Sequence, residues 1–198
     1  NELSAELAAL FMFAAFKNND KTGLYLFSDK TELFIPPKKG KNHILRIIRD
    51  MLAFMPSSTK TNISLALKNL NQLIKRRAVI IFISDFFDEN FGKDIKITQQ
   101  KHDLIPVIVN DNFEIEPTNW PAILSFSNLE NETMGYIDLS DRYLIESYKT
   151  KFKEKKEKLI KLFNSQSIDY MEITTKSNIF LTVSTFFKKR KLKLAKGK

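Results

Sequence analysis

Ser84 and Asp85 directly follow the most apolar run of the chain, Ala78–Ile83, which predicts a buried strand in the centre of a parallel sheet. Thr61 begins a stretch with the hydrophobic periodicity of a helix. Ligand sites of α/β sheets form where strands end and helices begin, so this carboxylate and this hydroxyl could ligate Mg²⁺. Both residue types are also favoured as helix N-caps, so metal binding and capping remain alternatives.

A second group of polar residues follows the predicted strand Leu104–Val109. Asp111 and Glu114 could hold a cation or contact a partner, although acidic residues also collect in solvated loops. Trp120, the sole tryptophan, lies in the same region. It is either an interface anchor or an aromatic that packs a hairpin onto the sheet.

The residue types needed for several kinds of catalysis are missing from the chain. It has no cysteine, no Gly-x-Ser-x-Gly motif and no glycine-rich phosphate loop, and its two histidines, His43 and His102, are far apart. These absences leave two function classes open, and the first is a non-enzymatic interaction protein. The alternative is a metal-dependent phosphoryl-transfer enzyme that uses Asp85, but it would need a first-strand aspartate and an opposed lysine that the sequence does not supply.

The net charge of +9 comes from two lysine-rich segments. Lys149–Lys161 has seven lysines against two glutamates, and Lys188–Lys198 has seven basic residues and no acidic one. The rest of the chain is mildly acidic, so we expect no nucleic-acid binding. The first segment has the pattern of a surface helix whose lysines either are solvated or face an acidic or phosphate-bearing partner.

Apolar periodicity alternates between helix and strand along the chain. Pro36-Pro37 should end the second strand, because proline cannot donate to a ladder. The longest apolar stretch, Leu7–Phe16, is too short to span a bilayer, so a soluble cytoplasmic protein is expected. Helices are predicted over 3–16, 42–54, 61–74, 88–100, 141–165 and 177–190, and strands over 23–27, 32–35, 78–83, 104–109 and 169–173.

This alternation predicts a doubly wound, mostly parallel α/β sheet of Rossmann-like type with helices on both faces. We expect one domain over 1–190, with a hairpin insertion near 111–140 and a disordered basic tail over 191–198.

Several motifs, in their order along the chain, resemble domain-of-unknown-function family 58, whose members are similar to von Willebrand factor A domains. The resemblance implies a bacterial, non-enzymatic interaction module with a metal-ion-dependent adhesion site, often encoded beside a MoxR-type AAA+ ATPase. Under it, Thr61 and Asp85 match two metal ligands, and Asp29 joins Asp111, Glu114 and Trp120 as partner-binding candidates. The motifs are Gly23-Leu24-Tyr25-Leu26-Phe27-Ser28-Asp29, Phe34-Ile35-Pro36-Pro37-Lys38-Lys39-Gly40, Thr61-Asn62-Ile63, Arg76-Arg77, Ile83-Ser84-Asp85-Phe86, Lys101-His102-Asp103 and Phe186-Phe187 with Arg190.

The sequence departs from the family at the remaining ligands. Those belong to an Asp-x-Ser-x-Ser motif after a first strand, and neither motif nor strand is found in the chain. The resemblance therefore implies a fold that is incomplete at its N-terminus. Mg²⁺ is possible in the full-length protein, whereas Thr61 and Asp85 alone are expected to hold none.

Overall fold

The computed structural model describes residues 2–111, 123–128, 133–138 and 141–196. The chain packs as two compact units. Unit 1 comprises Asn1–Ala78 and Asp88–Lys101, and unit 2 comprises Val79–Phe87 and His102–Lys198. Because this division reflects packing alone, the single domain expected over 1–190 stays a prediction.

Unit 1 is a β-hairpin with four helices. One apolar cluster of unit 1 joins Met12, Ile35, Ile44 and Ile47, each of which is at most 6% exposed. The first helix, the hairpin and the second helix thus share one core. The elements are α1 (Glu2–Lys17), β1 (Thr22–Phe27), β2 (Thr31–Lys38), α2 (Lys41–Leu52), α3 (Ile63–Leu73) and α4 (Gly92–Lys101).

The hairpin differs from the expectation at its prolines. Strand β2 continues through Pro36-Pro37 to Lys38, so the prediction that these residues end the strand is wrong. The two prolines fall in an irregularity of the ladder between the Thr22–Lys38 and Leu24–Ile35 pairs. At a bulge in a two-stranded sheet, a residue does not need a backbone N–H to pair with the other strand. The two prolines, which lack this group, are therefore tolerated.

Helices α3 and α4 are joined by polar contacts as well as apolar ones. The Ser64 hydroxyl donates to the buried Asp94 carboxylate at 2.5 Å, and the Asn71 amide donates to the Thr98 hydroxyl at 2.7 Å. These bonds satisfy polar groups that would otherwise be costly to bury.

Unit 2 contains a three-stranded parallel sheet of β3 (Val79–Ser84), β4 (Asp103–Asn110) and β7 (Met171–Thr174) in the order β3-β4-β7. The prediction that the apolar run over 78–83 is the central strand is wrong, because β4 occupies the centre. Six of the eight residues of β4 are buried, whereas Val79 is 60% exposed. Within the described ranges β3 has a ladder on one edge only, which explains why its apolar sequence is less buried than expected.

The described part of unit 2 also contains a hairpin and two helices. The antiparallel pair β5 (Ile123–Asn128) and β6 (Thr133–Asp138) forms within the predicted insertion. Helix α5 (Arg142–Ser165) follows, and its N-cap Asp141 accepts from the backbone N–H groups of Tyr143 and Leu144. Helix α6 (Ile179–Lys196) continues through the basic segment where a disordered tail was expected from residue 191. Lys193 pairs with Asp169 there, and lysines suit the negative end of a helix dipole.

A three-stranded parallel sheet flanked by helices agrees with the mixed α/β class expected from the sequence. Across the part of the chain that the structure describes, no helix combines the length and apolarity needed to cross a membrane.

Candidate functional site

The carboxyl edge of the parallel sheet in unit 2 carries a polar residue at the end of every strand. Strand β3 leads into Ser84-Asp85, and β4 ends at Asn110 before Asp111. Strand β7 ends at Thr174, which is opposite Asn110 in the register. Asn110 is only 5% exposed, whereas Asp85 and Asp111 are exposed. At this edge two carboxylates are therefore exposed to solvent, and a buried amide lies between them along the strand ends.

Asp85 organises a tight turn at the end of β3. One oxygen of its carboxylate, Oδ1, accepts from the backbone N–H of Phe87 at 3.2 Å and from the Ser84 hydroxyl at 3.4 Å. The Ser84 hydroxyl oxygen accepts in turn from the backbone N–H of Phe86 at 3.0 Å. Helix α4 begins only at Gly92, so Asp85 caps this turn and not a helix, contrary to the capping interpretation.

The turn holds Phe86 in a strained conformation. Its φ of 57° lies in the left-handed region, which costs about 1–2 kcal/mol for a residue with a side chain. The ring is buried and packs against Phe82 and Phe163, each with a centroid separation of 5.5 Å. Buried aromatic packing offsets the strain and holds the backbone of the turn in this conformation.

A cluster of aromatic rings and a lysine borders this edge. The rings of Phe87 and Phe152 lie 5.7 Å apart, and Tyr148 stacks on Phe152 at 6.3 Å. The Lys155 ammonium lies 5.6 Å from the centroid of the Phe87 ring, within the range of a cation–π contact. We call Phe87, Tyr148, Phe152 and Lys155 the edge cluster.

A small cleft separates the edge cluster from the strand ends. It is lined by Asp85, Asn110, Phe152 and Lys155, among others, and its volume is about 30 Å³. That space accommodates one or two water-sized groups. A partner's side-chain tip would fit in this cleft, and a drug-sized ligand would not.

Thr61, the other residue matched to a metal ligand, belongs to unit 1. It is exposed and precedes the true N-cap of α3, Asn62, whose side chain accepts from the backbone N–H of Leu65 at 2.8 Å. The Asp88 carboxylate accepts from the N–H of Ile63 at 2.6 Å. The helix start is thus satisfied by Asn62 and Asp88, and the prediction that Thr61 begins or caps the helix is wrong.

The residues present do not make a magnesium site. Mg²⁺ requires about six oxygen ligands in octahedral geometry, and Thr61 and Asp85 supply two side chains from different units. One oxygen of Asp85 already accepts two hydrogen bonds. No group of three or more His, Cys, Asp or Glu residues that could hold a metal occurs among the described residues.

Asp29 lies in unit 1 at the tip of the β1–β2 hairpin, beside a carboxylate that the sequence did not single out. Glu32 accepts from the Ser28 hydroxyl at 2.6 Å, the Ser57 hydroxyl at 2.6 Å and the Ser57 backbone N–H at 3.2 Å. The hydrogen bond from Ser28, followed by that from Ser57, lowers the pKa of Glu32. A hydrogen bond from Ser58 is the main cause that lowers the pKa of Asp29. Both carboxylates therefore hold the loop at 57–58 against the hairpin.

The remaining partner-binding candidates divide between described and undescribed parts of the chain. Asp111 is exposed directly after β4, as expected. Glu114 and Trp120 lie outside the described residues. Phe87 and Lys155 were missed by the sequence analysis. The adjacency of Phe87 to Asp85 was the available signal, whereas nothing in the sequence places Lys155 beside it.

Comparison with known families supports the resemblance to domain-of-unknown-function family 58 that the sequence motifs indicate. The model of the family described as "Protein of unknown function DUF58" matches residues 1–158. The chain belongs to this family. Its fold is similar to that in the crystal structure of the conserved hypothetical protein BatB from Bacteroides thetaiotaomicron. That match has a TM-score of 0.53 and 12% identity and covers 95% of this chain and 86% of that one. No curated protein matches the chain significantly.

Proposed function

We propose that the chain is a non-enzymatic protein–protein interaction module of von Willebrand factor A-like, Rossmann-like type. Its binding face is the carboxyl edge of the β3-β4-β7 sheet, and its partner is a MoxR-type AAA+ ATPase in the bacterial cytoplasm. The observation that carries the proposal is the turn at the end of β3. There the exposed Asp85 and the partly exposed Phe87 flank a strained, buried Phe86.

The chemistry of this turn favours recognition over turnover. An exposed aromatic ring such as that of Phe87 is typical of protein interfaces, in which a few residues provide most of the binding energy. The neighbouring cleft of about 30 Å³ suits a side-chain tip from another protein. Core packing of the Phe86 ring holds the backbone of this turn in place before binding, which lowers the entropic cost of association.

A quantitative binding assay with a MoxR-type AAA+ ATPase from the same organism tests the proposal. We expect binding by the wild-type chain and about tenfold weaker binding by Asp85→Ala, the loss typical of a hot-spot contact. Asp20→Ala removes another exposed aspartate, from the turn after α1 in unit 1, and should leave the affinity unchanged. Since Thr61 and Asp85 alone supply too few ligands for Mg²⁺, adding the ion should not alter how this chain contributes to the affinity.

The competing function is a phosphoryl-transfer enzyme that uses Asp85. A phosphatase assay with a general aryl phosphate substrate distinguishes it. Turnover that is lost in Asp85→Ala, together with no detectable ATPase binding, would overturn the interaction module.

A further inference from the structure

Helix α5 carries a row of exposed residues that includes two members of the edge cluster, Tyr148 and Lys155. Residues at i, i+4, i+7, i+11 and i+14 share one side of a helix, because 3.6 residues make one turn. Starting from Leu144, these positions are Tyr148, Lys151, Lys155 and Lys158. We call these five residues the α5 stripe. All five are exposed, and the stripe is apolar at its N-terminal end and basic over the rest.

The stripe is separate from the part of α5 that packs into unit 2. The buried residues of this helix are Ile145, Phe152 and Phe163. Among the lysines of α5, Lys156 lies outside the stripe and forms an ion pair with Glu172 at 2.5 Å. Burial and ion pairing thus account for these four residues of the helix, whereas the five residues of the stripe lie on the surface.

Aromatic and apolar groups distinguish the stripe from a solvated lysine face. Leu144 is 47% exposed, Tyr148 is 44% exposed, and Phe87 beside Lys155 is 39% exposed. Lysines that only confer solubility do not require apolar neighbours in line with them. Exposed apolar groups next to aligned charges are a common composition for interaction surfaces.

We propose that the α5 stripe and Phe87 form the docking surface for an acidic segment of a protein partner. Asp and Glu side chains of that segment pair with the three lysines, and one apolar side chain of the segment contacts Leu144 and Tyr148. The inference rests on the proposed interaction role and adds the chemistry of the partner's segment.

A protein segment fits this surface better than a nucleic acid does. Single-stranded nucleic acids bind by stacking bases on open aromatic faces. The Lys155 ammonium lies over the ring of Phe87, and Phe152 is buried between neighbouring rings. The three lysines also lack the planar donor fork with which arginine reads base edges.

The experiment measures binding of the whole chain to a fluorescein-labelled peptide of Asp and Glu residues with one central Phe. We expect Lys151→Glu/Lys155→Glu/Lys158→Glu to weaken binding about tenfold in 0.15 M salt, because each exposed ion pair contributes modestly. The matched control is Lys188→Glu/Lys189→Glu/Lys191→Glu, which makes the same charge change on α6. This control should weaken peptide binding much less than the stripe variant does. Leu144→Ser, which alters no charge, should also weaken binding.

Two further arms test for a pure charge effect and for RNA binding. Equal losses in the stripe and α6 variants would show that only net charge matters, and this would overturn the proposal. Binding of labelled oligouridylate that is stronger than binding of the peptide, and that is lost in the stripe variant, would replace the acidic protein segment by RNA. Circular dichroism melts confirm that each variant is folded, and Leu144→Ser supplies a second test if the triple variant is not.

Failure of this inference is distinguishable from failure of the proposed function. If the ATPase binds wild type and the stripe variant equally while Asp85→Ala binds weakly, the partner uses the sheet edge and not the stripe. If the stripe variant loses the peptide but no ATPase binds, the docking chemistry stands and the identity of the partner is wrong.

Discussion

Gly23 shows how one residue allows the hairpin of unit 1 to form. A Cβ at this position would lie 2.7 Å from the Ile35 carbonyl oxygen and 3.0 Å from the Pro37 nitrogen. Both atoms belong to the backbone and cannot rotate away. The bulge that accommodates the two prolines therefore requires a residue without a side chain opposite it.

We predict that Gly23→Ala destabilises the fold by about 1–3 kcal/mol, the usual cost of overpacking. Urea unfolding followed by circular dichroism measures this change. Lys38→Ala, at the exposed end of the same hairpin, should stay within about 0.5 kcal/mol of wild type. Equal stability of the Gly23 and Lys38 variants would show that the strands can separate at the bulge without cost.

Glu32 and Asp29 make the loop at 57–58 sensitive to acid. The folded state lowers the pKa of Glu32 from its ordinary value of 4.5 through the bonds from Ser28 and Ser57. Stabilisation by a carboxylate of this kind is complete above the ordinary value and is lost as the pH falls through the lowered pKa. The loop should therefore detach from the hairpin below about pH 4.5, and not in the neutral range.

Amide hydrogen exchange measured by NMR over this acid range tests the prediction. The Ser57 N–H, which donates to Glu32, should lose protection as the pH falls, after correction for intrinsic exchange rates. The Leu65 N–H donates to the uncharged Asn62 side chain and serves as the internal reference. Glu32→Gln should remove most of the pH dependence at Ser57. A transition at Ser57 centred above pH 5 would contradict the role of Glu32.

At the scale of elements, Arg190 anchors helix α6 to the sheet of unit 2. Its guanidinium pairs with Asp103 at the start of β4 and, at 3.3 Å, with Asp169 shortly before β7. Burial acts to lower the pKa of Arg190, but the hydrogen bond to Asp103 and the charges of Asp103 and Asp169 raise it. The guanidinium is therefore charged whenever the unit is folded.

We predict that Arg190→Met destabilises unit 2 by about 1–3 kcal/mol, because Asp103 loses a charged partner in a half-buried position. Asp169 keeps Lys193 at 2.7 Å, so the loss should stay below that of a fully buried pair. Urea unfolding measures the change, and Lys189→Met is the exposed control on the same helix. If the two methionine variants unfold at the same urea concentration, Arg190 has no anchoring role.

The sequence predicts where the helices and strands lie along the chain better than it predicts which strands are adjacent in the sheet. Helical and strand periodicities locate nearly all the described elements, because local burial alone imposes those periods. The central position of β4 could not be predicted, because an apolar strand reads the same at the centre of a sheet and at its edge.

The candidate site shows the same difference between local features, which the sequence predicts, and long-range contacts, which it does not. Asp85 was predicted at a strand end from local sequence, and it is found there. The placement of Lys155 against Phe87 depends on how α5 packs on the sheet, a long-range contact that no local pattern encodes. Residues adjacent in sequence to a predicted edge were therefore accessible to sequence analysis, and residues brought there by packing were not.

At the scale of the whole molecule, the chain passes between the units after Ala78, Phe87 and Lys101. Unit 1 is therefore discontinuous in sequence. The segment that contains β3 belongs to unit 2 and separates α3 from α4 along the chain. Helix α3 buries Ile63, Ala66, Leu67 and Leu70, and α4 contributes the buried Asp94, Ile95 and Thr98 to the same unit. A fragment that stops at Ala78 would lose the acceptors of Ser64 and Asn71 along with this apolar cover.

We predict that residues 1–78 alone do not unfold cooperatively, because the exposed α3 face leaves too little buried surface for a stable core. Joining residues 88–101 to Ala78 through a Gly/Ser linker of the same length as Val79–Phe87 should restore a cooperative transition. In a second linked fragment, Asp94→Lys places a cation opposite Lys68 and Ser64 and should abolish that recovery. Cooperative melting of 1–78 by itself would show that α4 is dispensable. A linked fragment that stays unfolded would show that unit 1 depends on unit 2 for its stability.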